Sequence, residues 1–150
     1  MQLRELLTTD AIACRESVNS KKRVLQVASS KLATSVGGVT EDEIFTGLLN
    51  RERLGSTGIG SGVGIPHCRL SGAEKATAAL ITLEEGIDYD AIDQKPVDLI
   101  CALIVPDDGN DEHLQTLGGL AELFNKPEAL AALRECATAE MITETINQFS

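Results

Sequence analysis

Two histidines and one arginine carry the chemistry that this sequence could perform. His67 closes a glycine-rich run, Gly58-Ile59-Gly60-Ser61-Gly62-Val63-Gly64-Ile65-Pro66-His67. His113, the other histidine of the chain, follows a long apolar stretch, and Arg51 precedes the glycine run by one short loop. A neutral imidazole is nucleophilic near neutral pH, its ordinary pKa being about 6.5. Phosphoryl transfer asks for an in-line nucleophile and for donors to the equatorial oxygens, with little other chemistry. Arg51, His113 and the backbone N–H groups around Gly58–Gly62 are candidate donors. The Ser56 and Thr57 hydroxyls are placed to orient an imidazole or to cap a phosphate. The candidate set is therefore His67 as nucleophile, His113 and Arg51 as assisting groups, and Ser56, Thr57, Gly58 and Gly60 as phosphate-binding positions.

Rival chemistries fit the spacing less well. A dinucleotide fingerprint needs G-x-G-x-x-G between a strand and a helix, and a Walker loop needs G-K-[ST]; the run has neither, and nothing else calls for a cofactor. Ser56 or Ser61 with His67 and an aspartate would make a hydrolase triad, but Gly60-Ser61-Gly62 lacks the G-x-S-x-G elbow and its following helix. His67, His113 and Asp111 or Glu112 would make a metal site, but no H-x-x-x-H or H-x-H spacing supports one. The bland alternative is a glycine-rich bend with an incidental histidine. Taken singly, either histidine reads as structural; their joint placement carries the case.

The elements that must position these groups are readable from periodicity. The run of glycines at alternate positions from 58 to 64 is no helix, since each glycine there costs about 1 kcal/mol. It reads as an extended, exposed segment that admits close backbone approach. Pro66 fixes its own φ and holds Ile65 extended, delivering His67 at the end of a stiffened strand. Before it, Ser20 caps a helix carrying Val24, Leu25, Ala28, Leu32 and Val36, with Gly37-Gly38 as its stop. Thr40 with Glu43 makes a capping box for a second helix reaching about Arg53. A short helix or turn at Leu3–Leu7 and a brief strand at Ala11–Arg15 come first. After the glycines, Ala76–Leu83 and the alternating Ile87–Ile92 are strand signals, and Gln94–Pro96 is a turn. Val97–Val105 is a nearly continuous apolar run bounded by prolines, the pattern of a central strand covered on both faces. A polar loop over 107–111 leads to a helix from Asp111 to Phe124, then one opened by Pro127 and one capped by Thr138. Two helices, a group of strands and three helices predict an α/β fold, a mixed β-sheet sandwiched between helical layers, as a single domain over residues 1–150.

Composition narrows the partners. The net charge of −10 argues against nucleic acid or an anionic membrane. Arg4, Glu5 and Asp10 interrupt the N-terminus before any leader-like apolar core forms, and no apolar run approaches the roughly 20 residues of a membrane span. Four cysteines at 14, 68, 101 and 136, with no C-x-x-C, read as reduced thiols of a cytoplasmic protein.

The residues also carry a resemblance. Leu48-Leu49-Asn50-Arg51-Glu52-Arg53, then Ser56-Thr57-Gly58-Ile59-Gly60 and Gly64-Ile65-Pro66-His67, resemble the signature of the phosphotransferase-system enzyme IIA family of the fructose/mannitol type. Glu112-His113-Leu114 with Leu117 and Leu120 resembles its second histidine motif. Ile87-Asp88-Tyr89-Asp90-Ala91-Ile92-Asp93 and Pro96-Val97-Asp98-Leu99 look most like the nitrogen-regulatory branch. The resemblance implies a phosphohistidine relay. His67 takes a phosphoryl group from a carrier similar to HPr, His113 assists beside it, and Arg51 stabilises charge. It also implies a cytoplasmic protein that regulates targets, potassium transport and sensor proteins among them, by its phosphorylation state. The alternatives are a sugar-specific IIA passing phosphate to an enzyme IIB, and a non-catalytic regulatory binding module. The sequence ends at Ser150 without a IIB or membrane domain, which favours regulation. One departure is Cys68, where many nitrogen-branch relatives have glycine. Ile59, Val63 and Ile65 are expected to form an apolar docking patch around His67.

Overall fold

The apolar run from Val97 is the strand on which the chain assembles. In the computed structural model, which describes residues 2–107 and 112–149, it forms β6 (Val97–Pro106). Leu99, Cys101, Leu103 and Val105 point into one apolar core, and Ile100, Ala102 and Ile104 into another on the opposite face. Burial on both faces is what the hydrophobicity, interrupted only by Asp98, requires.

Five further strands complete a mixed sheet. β5 (Thr77–Ile87) runs antiparallel along one edge of β6, and β1 (Leu7–Glu16) parallel to β5. The other edge of β6 is taken twice. β3 (Val63–Gly64) pairs with Leu99 and Ile100, and β4 (His67–Leu70) pairs with Leu103 to Pro106, both parallel and in one continuous register. β2 (Gly58–Gly60) lies antiparallel to β3 at the outside. Between β3 and β4 the ladder continues through Pro66, whose carbonyl accepts the Leu103 N–H at 2.9 Å.

Helices cover both faces. α2 (Lys21–Ala33) and α3 (Glu41–Leu54) pack on one side; α1 (Leu3–Leu6), α4 (Glu112–Leu123), α5 (Pro127–Glu135) and α6 (Ala139–Phe149) pack on the other. The expected caps are present. The Ser20 hydroxyl accepts the Arg23 N–H at 3.2 Å, Thr40 and Glu43 exchange the two bonds of a capping box, and Thr138 accepts from Met141. Pro127 occupies the first turn of α5.

Four expectations change. Gly37 and Gly38 do not stop α2, which ends at Ala33; both have φ near the left-handed region, at 71° and 81°, and turn the chain against Gly72 and Glu74. The brief strand at Ala11–Arg15 is the longer β1. Beyond Ile87 the alternating segment is not a strand: Tyr89 and Ala91 are buried, so the twofold period reflects one buried side of a loop without a ladder. The glycine run is a hairpin exposed at Ile59 and at its turn but buried at its base, not a segment exposed throughout. A Cβ at Gly58 would lie 2.6 Å from the Ala91 side chain, and one at Gly64 2.9 Å from the Tyr89 ring, so both glycines make room for the loop above them. Asp111, expected at the start of α4, lies outside the described residues.

That packing sets a stability prediction. Tyr89 is fully buried and has no free space toward Gly64. Gly64→Ala should lower the unfolding free energy by about 1–3 kcal/mol through overpacking, read as a lower urea midpoint at unchanged slope. An unchanged midpoint would show that the ring is not held against this strand.

Candidate functional site

The site is built from three connected segments: the end of α3, the glycine hairpin with β4, and the start of α4. In the last turn of α3, Arg51 donates from Nη1 to the Gly55 carbonyl at 2.9 Å. Gly55, with φ of 155°, ends the helix without strain. The chain then enters the β2–β3 hairpin, whose turn residues Ser61 and Gly62 have φ of 58° and 78°, the two successive positive values of a tight type I′ turn. Arg134 of α5 ties this turn down, pairing with Asp98 at 3.0 Å and donating to the Ser61 carbonyl. After β3 the chain passes through Ile65 and Pro66 to His67, which opens β4 rather than ending a strand.

His67 is half-buried, and its Nδ1 lies 2.6 Å from the Ile65 carbonyl oxygen. A carbonyl only accepts, so Nδ1 carries the proton in the neutral ring and Nε2 keeps the lone pair. Burial holds the His67 pKa below the ordinary 6.5 by disfavouring the cation. The Ile65 hydrogen bond opposes that, the Arg51 charge reinforces it, and the Glu52 charge opposes it again.

His67 opens onto a cavity of about 220 Å³. Its walls are Arg51 from α3, His67, Cys68 and Arg69 from β4, Leu103 and Val105 from β6, and His113, Leu114 and Leu117 from α4. Arg51, His67 and His113 thus share one space. His113 is buried, Leu114 is 62% exposed at the rim, and Leu103 and Val105 give an apolar floor. A cavity with one neutral nucleophile, one guanidinium and a second imidazole can accept an electrophile at Nε2 and surround its oxygens with donors.

The four residues expected to bind phosphate are elsewhere. The Ser56 hydroxyl donates to the Tyr89 carbonyl at 3.0 Å and accepts the Gly58 N–H at 3.1 Å. The Thr57 hydroxyl and N–H both go to the Glu52 carboxylate. Gly60 lies in β2, beside Asp93. None of the four lines the cavity; the Ser56 and Thr57 hydroxyls are taken by the Tyr89 carbonyl and Glu52, and the Gly58 N–H by Ser56. Val63 and Ile65, expected on a docking patch, are buried in the core, and Ile59 is 44% exposed on β2. Cys68 packs against α3 where Gly47 leaves space, and burial pushes its thiol up to about 12, so it stays protonated and inert as a nucleophile. Among the described residues no three His, Cys, Asp or Glu side chains converge as a metal centre; Asp111 and the Glu112 side chain, the other suggested ligands, lie outside what is described.

Three residues behind the site were given no role in the sequence reading: Glu52, Lys21 and Tyr89. The Glu52 side chain is 3% exposed and pairs with Lys21 Nζ at 2.7 Å. Tyr89 donates to Glu52 at 3.2 Å, and Lys21 sits 4.5 Å from the centre of its ring. Burial raises the Tyr89 pKa far above its usual range, so the hydroxyl remains a donor. A signal was present: Glu52 continues the buried stripe of Ile44 and Leu48 at four-residue spacing, which marks a carboxylate turned inward.

Known proteins give a consistent match. Residues 5–149 match the family described as phosphoenolpyruvate-dependent sugar phosphotransferase system, EIIA 2. A nitrogen regulatory protein of Pseudomonas aeruginosa is 36% identical over 97% of this chain and 95% of its own length. A fructose-specific EIIA component of Haloferax volcanii is 34% identical over 77% of this chain and 75% of its own length. The crystal structure of the nitrogen regulatory protein IIA-Ntr from Neisseria meningitidis superposes with a TM-score of 0.89 at 37% identity, covering 95% of this chain and 97% of that one. With the fold, the match over residues 5–149 and these identities in agreement, the chain belongs to the EIIA 2 family of the phosphoenolpyruvate-dependent phosphotransferase system.

Proposed function

We propose that this chain is a phosphohistidine carrier of the nitrogen-regulatory type, with His67 Nε2 as the acceptor. The observation that carries the reading is the Nδ1 bond to the Ile65 carbonyl, which leaves Nε2 basic in a cavity shared with Arg51 and His113. In the step, the Nε2 lone pair forms a bond to phosphorus as the bond from phosphorus to the donor breaks, its electron pair leaving on the donor. The donor is an HPr-like carrier. Arg51 and His113 stabilise the charge on the equatorial oxygens. Nδ1 keeps its proton on Ile65 throughout, so the ring need not reorient.

The output is regulation of target proteins by phosphorylation state, potassium transport and sensor proteins being the class the nitrogen branch suggests. Similarity to proteins named nitrogen regulatory supports this. The protein acts in the cytoplasm; among the described residues no helix is long and apolar enough to cross a membrane. A second reading, relay to an enzyme IIB, is favoured by the identity to a fructose-specific component. Both use the same acceptor and differ in what takes the phosphate next.

Incubation with phosphoenolpyruvate and the two upstream carriers tests the acceptor. His67→Ala should abolish an acid-labile, alkali-stable label. His113→Ala and Arg51→Ala should keep the fold and slow acceptance by about 10²–10³, the usual loss for one preorganised donor. Stable labelling of the His67→Ala protein would exclude the assignment.

The pH dependence has a definite sign. Only the unprotonated imidazole attacks, and the folded pKa is held below 6.5. The half-maximal rate of acceptance should therefore lie below pH 6.5, with donor chemistry controlled. A midpoint at or above 6.5 would contradict the depressed value.

Regulation is tested by titrating a physiological target against both forms. The exposed Leu114 and half-buried Leu117 beside the cavity make the docking surface apolar. A phosphoryl group adds about −1.5 to −2 charges to it, which must be paired or kept hydrated. Targets without a matching cation should leave on phosphorylation; equal affinities would favour the plain relay.

A further inference from the structure

The buried Glu52 carboxylate is more than a local ion pair. It receives Lys21 Nζ at 2.7 Å, the Thr57 N–H at 3.2 Å, the Tyr89 hydroxyl at 3.2 Å and the Thr57 hydroxyl. A carboxylate removed from water persists as a charge only with such a set of partners. Three of the four contacts fall on Thr57 and on Tyr89, the residues that bracket the base of the glycine hairpin. From Thr57 the bonding continues without a gap. The Thr57 carbonyl accepts the Ile65 N–H at 3.0 Å, and the Ile65 carbonyl accepts from His67 Nδ1 at 2.6 Å.

Each link fixes the next. With its N–H and hydroxyl on Glu52, Thr57 is anchored at its amide and at its side chain. Its carbonyl then closes the hairpin on Ile65. Ile65, followed by the fixed φ of Pro66, presents its carbonyl to the imidazole at one angle. That carbonyl selects the Nδ1–H tautomer, the one that leaves Nε2 free.

We propose that Glu52 is a positioning residue for the phosphoryl acceptor, acting on His67 through Thr57 and the Ile65 carbonyl to hold the ring and its tautomer. The proposal rests on the reading of His67 as acceptor. Lys21 and Tyr89 complete the device by keeping the carboxylate charged and fixed. A second, through-space effect has the same source, since the Glu52 charge favours the His67 cation while burial and Arg51 disfavour it. The other titratable or charged groups around the ring are Arg51 from α3, His113 from α4, and Cys68 and Arg69 on its own strand. β6 presents only Leu103 and Val105.

The test is long-range ¹H–¹⁵N spectroscopy of the imidazoles in the unphosphorylated protein, which reads tautomer and titration directly. It is applied to wild type, to Glu52→Gln and to the double variant Lys21→Met with Glu52→Gln, alongside single-turnover acceptance from the phosphorylated HPr-like carrier. In Glu52→Gln the Nε2–H tautomer of His67 should gain population, its titration midpoint should move down, and acceptance should fall toward the ~100-fold that a misplacement of about 1 Å costs. The double variant strands no ammonium, so it should regain thermal stability while keeping the altered tautomer and slow acceptance; it carries the same readings should the single variant fail to fold. A folded variant with the wild-type tautomer and midpoint would make Glu52 structural only and overturn the proposal, whatever its acceptance rate. If instead the tautomer shifts but His67→Ala still accepts phosphate, the acceptor assignment fails while the positioning role stands.

Discussion

The two-sided burial of β6 is the constraint from which the architecture follows. A strand with Leu99, Cys101, Leu103 and Val105 on one face and Ile100, Ala102 and Ile104 on the other must be covered twice, and the two helical layers do so. One edge of β6 is occupied by β5, which leaves a single edge for the segment that follows the hairpin. That segment is parallel to β6 and in fixed register, so His67 falls opposite Leu103, toward the end of the strand. The chain leaving β6 then enters α4, where His113 lies in the first turn. Two histidines distant in sequence meet because one is set by the register and the other by the exit from the same strand. The end of a sheet strand next to a helix start is a common location for sites in such folds.

The electrostatics of His67 is a balance in which desolvation leads. Burial against Leu103 and Val105 lowers the pKa, and Arg51 adds to the effect, while the Ile65 carbonyl and Glu52 resist it. Adjacent residues of α3 therefore push the same imidazole in opposite directions. Arg51 faces the cavity, whereas Glu52 faces the core and Lys21. A helix achieves this with consecutive residues because they point about 100° apart. The result is an imidazole biased toward its neutral form next to a guanidinium that lines the same cavity.

Much of the fold was legible because it is written in local chemistry. The capping box at Thr40 and Glu43, Ser20, Pro127 and the proline-bounded run before Pro106 mark elements whose signals lie within a few residues. What sequence could not show depends on non-local packing. The alternating glycines give no sign that Tyr89 and Ala91 fill the space above Gly64 and Gly58, so a hairpin buried at its base looks like a ribbon exposed along its length. Ser56 and Thr57 look like phosphate ligands until their partners, the Tyr89 carbonyl and Glu52, are seen. Arg51, His67 and His113 were recognisable as residue types and by family resemblance. Their proximity was expected too; the apolar floor of the cavity and the carbonyl that fixes the tautomer were not.

Helix orientation explains why an arginine is suited to position 51. The cavity lies between the first turn of α4, where His113 sits, and the last turn of α3. An anion on Nε2 would be favoured by the positive end of α4 and opposed by the negative end of α3, each end behaving as roughly half a charge. Arg51 meets both demands. Its Nη1 holds the Gly55 carbonyl just past the end of α3, and its planar group carries further N–H donors in a fixed fork. A lysine here would bring the charge without that fork, and its flexible stem would have to choose between carbonyl and anion. On the proposed reading the guanidinium would screen the unfavourable helix end and present donors to the cavity in one rigid unit, relieving the glycine hairpin of that task.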